Sequence, residues 1–207
     1  MERIKLQDTT LIGNWEEVQG VPVSTITKND KDTEKLDGLI IKGYETKFAG
    51  GTNENGERYT KDCIDDFITR YFVGNGLNMP VDIQHVQDID HLAGRVIYIE
   101  SNEVGFYFVA YVPRTFKNYT ILRDLLRNGI LQGFSKMGWA TDYEYKYKKD
   151  GTFDYMLIKR MEIVAMSLVA VPANAIAFEK VAETVQDGLR FEKKTDKRES
   201  GMDDMFN

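Results

Sequence analysis

The stretch Gly94–Pro113, GRVIYIESNEVGFYFVAYVP, decides the fold class. Two runs rich in β-branched and aromatic residues, 94–101 and 105–113, flank Asn102, Glu103 and Val104, and this pattern predicts a β-hairpin. Upstream, Val81–Val86 (VDIQHV) alternates with period two and reads as another strand, and the apolar run Leu39-Ile40-Ile41 as a third. Between them Ala49–Tyr59 is dense in turn formers. Thr60 then caps a helix predicted from Lys61 to about Phe72, with Ile64, Phe67, Ile68, Tyr71 and Phe72 at helical spacing. Downstream, Asn118–Gly129 sets Ile121, Leu122, Leu125 and Leu126 on one helical face, with Arg127 in the last turn and Gly129 placed to end it. Trp139, Thr141, Tyr143, Tyr145 and Tyr147 share one parity and charged residues the other, as in a strand, and Tyr155–Pro172 returns as one or two more. The sum is a mixed domain dominated by antiparallel strands. An irregular polar segment (1–36) precedes the main domain (37–185), and a charged tail (186–207) without periodicity follows, where disorder is expected.

Composition narrows the function. The chain of 207 residues is 42% hydrophobic and 12% aromatic, enough to bury one core. Its formal charge of -6, with lysines and arginines scattered among acids, argues against a nucleic-acid partner. Cys63 is the sole cysteine, which excludes an intramolecular disulfide and a multi-cysteine zinc site and fits a reducing cytoplasm. No apolar run reaches the roughly 18 residues of a membrane span, and the N-terminus lacks a signal-peptide core, so no membrane partner is expected.

The chemistry-bearing residues are few. An imidazole base must be His85 or His91, the only histidines. Ser135, in LQGFSKMGW (131–139), could be a nucleophile served by such a base, although a serine between glycines after a helix is by itself more often a turn residue. Gly133-x-Ser135-x-x-Gly138 also differs from the nucleophile elbow of α/β-hydrolases, where a strand precedes the serine and a helix follows. His85, Asp88, Asp90 and His91 contain metal-ligand chemistry, but on a loop without fixed ligand spacing, so no metal and no cofactor are expected. Cys63 reads as a partly buried structural thiol in the first helix.

Four segments in order resemble the prohead maturation proteases of tailed phages, a family that shares its fold and catalytic arrangement with herpesvirus capsid proteases. They are GYETKFAGGTNENGERYTKDCIDDFITRY (43–71), VDIQHVQDIDHLAGRVIYIESNEVGFYFVAYV (81–112), LLRNGILQGFSKMGW (125–139) and MEIVAMSLVAVPANAIAF (161–178). The resemblance covers about residues 38 to 180 and implies an α+β fold with a mostly antiparallel, β-barrel-like core and a few flanking helices. It implies His85 as general base, Ser135 as nucleophile and an oxyanion-stabilising loop at Pro172–Asn174, with Ala173 and Asn174 supplying donors. Two departures stand out. One residue more than usual separates Ser135 from Gly138, which a bulge or wider turn absorbs. Ala165 also occupies the place of the family's third, acidic member, two residues before Ser167. The nearest acid is Glu162, whose offset reverses strand parity unless a bulge intervenes; Asp88, Asp90 or a serine–histidine dyad are the alternatives. Ser167 reads as a small buried residue bonded to backbone.

The expectation is therefore a serine endopeptidase that cleaves scaffold and capsid proteins inside an assembling prohead in the host cytoplasm. Its implied partners are the major capsid protein, a scaffold protein and other copies of itself, with autocleavage of the tail. The alternative is a catalytically inactive, protease-derived scaffold or capsid-assembly protein.

Overall fold

The computed structural model describes residues 4–6, 9–29, 31–47, 52–53, 55–73 and 78–170. Nine strands are present there: β1 (Ile4–Leu6), β2 (Thr9–Pro22), β3 (Lys35–Lys47), β4 (Glu57–Tyr59), β5 (Pro80–Ile83), β6 (Leu92–Ser101), β7 (Gly105–Pro113), β8 (Gly133–Tyr147) and β9 (Phe153–Val169). Three α-helices accompany them: α1 (Ser24–Thr27), α2 (Lys61–Phe67) and α3 (Tyr119–Arg127). None of the described helices is long and apolar enough to cross a membrane.

The expected hairpin is β6–β7, closed by Asn102, whose side-chain oxygen accepts from the Val104 and Gly105 amides at 2.9 and 3.2 Å. Thr60 caps α2 as its position predicts, its hydroxyl accepting from the Cys63 amide at 3.1 Å. Past Phe67 the helix widens into a π-helical segment, Ile68–Val73, so the periodic apolar run is one continuous helical stretch of two geometries. The N-terminal region departs most from expectation. Thr9–Pro22, read from its polarity as irregular, is a strand of 14 residues paired with β3 and β8. Exposed Glu16, Glu17 and Gln19 surround the buried Val18 and the partly buried Trp15, so the strand shows no clean apolar alternation although Trp15 packs on the main core and Val18 on a smaller one.

The strand order is β1-β8-β2-β3-β7-β6-β5-β9-β4, with β8 paired to β9 as well. β4 and β5 lie parallel to β9, and the other strand pairings are antiparallel. The expectation of a mostly antiparallel, barrel-like core is corrected in strand direction: the sheet is mixed, with β4 and β5 parallel to β9, and it carries two short outer strands, β1 and β4. The main core joins Leu39, Ile41, Val96, Phe106, Phe108 and Phe134 from the strands to Ile64 and Phe67 of α2 and Leu122 and Leu126 of α3. A smaller cluster, including Leu36, Ile40, Ile97 and Val109, fills the opposite face of β3, β6 and β7.

β8 and β9 set the frame of the site. Their register runs Ser135↔Ser167, Lys136↔Met166 and Met137↔Ala165, then skips Val164 and resumes at Gly138↔Ile163. A bulge thus falls where the extra residue called for one, but its unpaired residue lies on β9, and Val164 is turned outward. Opposite it the strands are very close. A Cβ on Gly138 would stand 2.1 Å from the Glu162 carbonyl oxygen. Gly138→Ala is therefore expected to cost about 3 kcal/mol, a fall of about 6–12 °C in melting temperature for a chain of this size. A fall under about 2 °C in thermal unfolding would show that the strands separate without strain.

Candidate active site

His85 follows β5 on an unusual turn. Gln84 and His85 both adopt left-handed backbone conformations (φ 58° and 61°), costly for residues with a side chain and concentrated at functional sites. The turn is held by Gln84 N–H donating to the Leu168 carbonyl at 2.9 Å and Ile83 N–H donating to the His91 carbonyl at 3.1 Å. It carries the imidazole back over β9, where Nδ1 lies 2.9 Å from the Ser167 hydroxyl.

Ser167 is the centre of a polar row across three neighbouring strands. In register it meets Ser135 of β8 on one side and Asp82 of β5 on the other. Adjacent strands are about 4.8 Å apart, so three polar side chains lie side by side beneath the imidazole. All are inaccessible, with Ser135 1% exposed and Ser167 and Asp82 0%. Among the described residues neither carboxylate oxygen of Asp82 nor the Ser135 hydroxyl meets a hydrogen-bond partner at bonding geometry.

Burial pushes the Asp82 carboxyl above its ordinary value, with the Ser167 hydroxyl and the His85 charge pulling it partly back. A carboxyl raised on folding stabilises the folded state fully below the unfolded value, about pH 4, and loses that contribution as pH rises through the folded value. At neutral pH Asp82 is thus a cost to the fold. Asp82→Asn is expected to raise the melting temperature at pH 7 by about 2–6 °C, with the gap to wild type narrowing toward pH 4. A lower melting temperature for the variant at pH 7 would contradict this.

The other expected site residues lie elsewhere. Glu162 pairs with Trp139 and accepts from the Tyr71 hydroxyl at 2.7 Å. The Val164 bulge does bring it to the Ser135 parity, but four residues of β8 place it about 13 Å along the strand. Asp88 accepts from His91 Nδ1 at 2.5 Å, and Asp90 pairs with Lys117 at 2.9 Å, both on the exposed loop after His85. That loop is engaged by His91 and Lys117 rather than aimed at His85. Among the described residues no group of three or more histidine, cysteine or acidic side chains is placed to hold a metal ion. Cys63 is buried, and burial pushes its thiol up to about 12, which leaves it protonated and unreactive. Ala173 and Asn174 lie outside the described residues.

Sequence reasoning missed Asp82 and misread Ser167. Ser167 bonds to an imidazole rather than only to backbone. Asp82 alternates with Val81 and Ile83 and so reads as a solvent-facing position; it is buried because both faces of β5 are covered there, Val81 and Asp82 each being 0% exposed. Its signal was an acid inside an otherwise apolar strand, three residues before the histidine.

No family model matches the chain, and no curated protein matches it in sequence. Among solved structures it is similar to the capsid assembly protease of bacteriophage T4, gp21, with a TM-score of 0.56 and 17% identity over 83% of this chain and 100% of that one. At that identity the likeness is one of fold, and the chain has the fold of a capsid assembly protease.

Proposed function

We propose that this protein is a serine endopeptidase of phage prohead maturation, with Ser135 as nucleophile and His85 as general base. The observation that carries this reading is the convergence of His85, Ser167 and Ser135, from three separate strands or their ends, on a fold shared with a capsid assembly protease. A base in such a site binds its orienting partner through one ring nitrogen and the nucleophile through the other. Ser167 meets the ring at Nδ1, and in this reading Nε2 serves the nucleophile, Ser135 being the hydroxyl next to Ser167 on β8.

Acyl transfer would proceed by attack of the Ser135 oxygen on a peptide carbonyl as Nε2 takes its proton. His85 then returns that proton to the leaving amine, and water repeats the cycle to release the acyl group. The pair itself supplies the proton transfers, so the reading calls for no cofactor. Because Ser135 is covered, the reading includes an opening step before substrate reaches it. The substrates in this reading are capsid and scaffold segments, with the chain's own tail as a further one, inside the prohead in the host cytoplasm.

The His85–Ser167 bond favours a second reading, in which Ser167 is the nucleophile. Coexpression with the capsid protein separates the two. Ser135→Ala abolishes processing under the first reading and spares it under the second, and Ser167→Ala does the reverse, leaving reduced but measurable cleavage under the first.

A further inference from the structure

We infer that Asp82 and Ser167 are positioning residues that orient His85 in series, the Nδ1–H donating to the Ser167 hydroxyl and that hydroxyl donating in turn to the Asp82 carboxylate. The inference rests on the reading of Ser135 and His85 as the catalytic pair, and it supplies the third group that Ala165 does not.

Three observations carry it. Ser167 Oγ lies 2.9 Å from His85 Nδ1 and is 0% exposed, so no bulk water competes for the bond. Asp82 is also 0% exposed and is the register partner of Ser167 across the parallel β5–β9 pair; its oxygens meet no donor at full bonding geometry among the described residues, while the Ser167 hydroxyl, the His85 backbone N–H and the Gln87 side chain lie near enough to lower its pKa. A hydroxyl has one proton and can both accept and donate. When Nδ1 carries its hydrogen and gives it to Ser167, the serine's own hydrogen is released toward the carboxylate beside it. That arrangement selects the tautomer with a bare Nε2, the form able to take a proton from Ser135. It also puts a negative charge one hydroxyl away from the imidazolium that forms as the proton moves.

The groups presented to the imidazole by the elements around it fit this assignment. β5 supplies Asp82, β9 supplies Ser167 and β8 supplies Ser135, while Asp88 in the following loop is bonded to His91. A solely structural Asp82 is a poor alternative, because burial of the carboxylate outweighs what its neighbours return and so weakens the fold that holds it.

The test follows His85 rather than turnover alone. Imidazole resonances of the full chain are titrated by NMR in wild type, Asp82→Asn and Ser167→Ala, with His91→Gln assigning the two histidines. The His85 midpoint is expected to fall by about one unit in Asp82→Asn and similarly in Ser167→Ala, and no further in the double variant, since the groups act in series. Coat-protein cleavage by either single variant falls at least about 10-fold in kcat, with KM within about twofold of wild type. An unmoved His85 midpoint in Asp82→Asn overturns the relay, as does an additive shift in the double variant. If the midpoint shifts while wild type cleaves nothing, the relay stands and the protease reading fails.

Discussion

Ser135→Ala is expected to reduce coat-protein cleavage by about 10⁴-fold or more. The loss is large because removing the attacking oxygen leaves only binding and whatever stabilises the tetrahedral intermediate. It is also expected to occur without unfolding. The Ser135 hydroxyl makes no hydrogen bond among the described residues, so deleting it removes no bond from the fold and relieves one buried polar atom. Gel analysis of coat and scaffold coexpressed with either form gives the result directly, and thermal unfolding confirms that the variant is folded. Equal processing by both forms would remove Ser135 from the mechanism. A protein that cleaves nothing in either form is the inactive assembly factor instead.

The largest expected effect on stability lies directly behind that serine. Lys136, the next residue of β8, is 0% exposed and forms an ion pair at 2.6 Å with Glu45 of β3, also 0% exposed. Its ammonium sits 3.9 Å from the centre of the Tyr59 ring, and the Thr46 hydroxyl donates to the second Glu45 oxygen at 2.5 Å. A buried pair is costly to form and more costly to halve. Lys136→Met leaves the Glu45 charge buried without its cation, and a loss of about 3–5 kcal/mol is expected, a fall of roughly 10 °C or more in melting temperature. The Lys136→Met, Glu45→Leu double variant removes both desolvated charges and is expected to return to within about 1 kcal/mol of wild type or to exceed it. Denaturant unfolding of the four proteins measures the coupling. A single variant that loses under about 1 kcal/mol would show that the pair is solvated in solution.

The local signals legible in the sequence are those with short-range causes. The β6–β7 hairpin, the Thr60 cap and the extent of α3 depend on residues within one turn of one another, and each is found where its pattern stands; the buried face of α3 is set by Tyr119, Leu122 and Leu126, while Ile121, expected on it, is 61% exposed. β2 was illegible because its charged residues face outward along a strand whose pairing to β3 and β8 is non-local. Ser135 looked like a turn residue because glycines flank its segment. It lies inside β8, and Gly138 serves a close approach between strands rather than a turn. Asp82 was hidden by the same alternation that identified its strand, since period two reports which residues share a face and not whether the second face is covered. The left-handed turn at Gln84 and His85, which brings the imidazole to Ser167, has no glycine or asparagine to announce it.

The identity of the nucleophile is tested most directly by covalent trapping. The protein, assembled with its capsid protein so that the covered site opens, is treated with a fluorophosphonate and digested, and the modified peptide is sequenced by mass spectrometry. The account predicts a single adduct on Ser135 that is lost when His85 is replaced by alanine. An adduct on Ser167, or none under conditions where the coat protein is being cleaved, would contradict it.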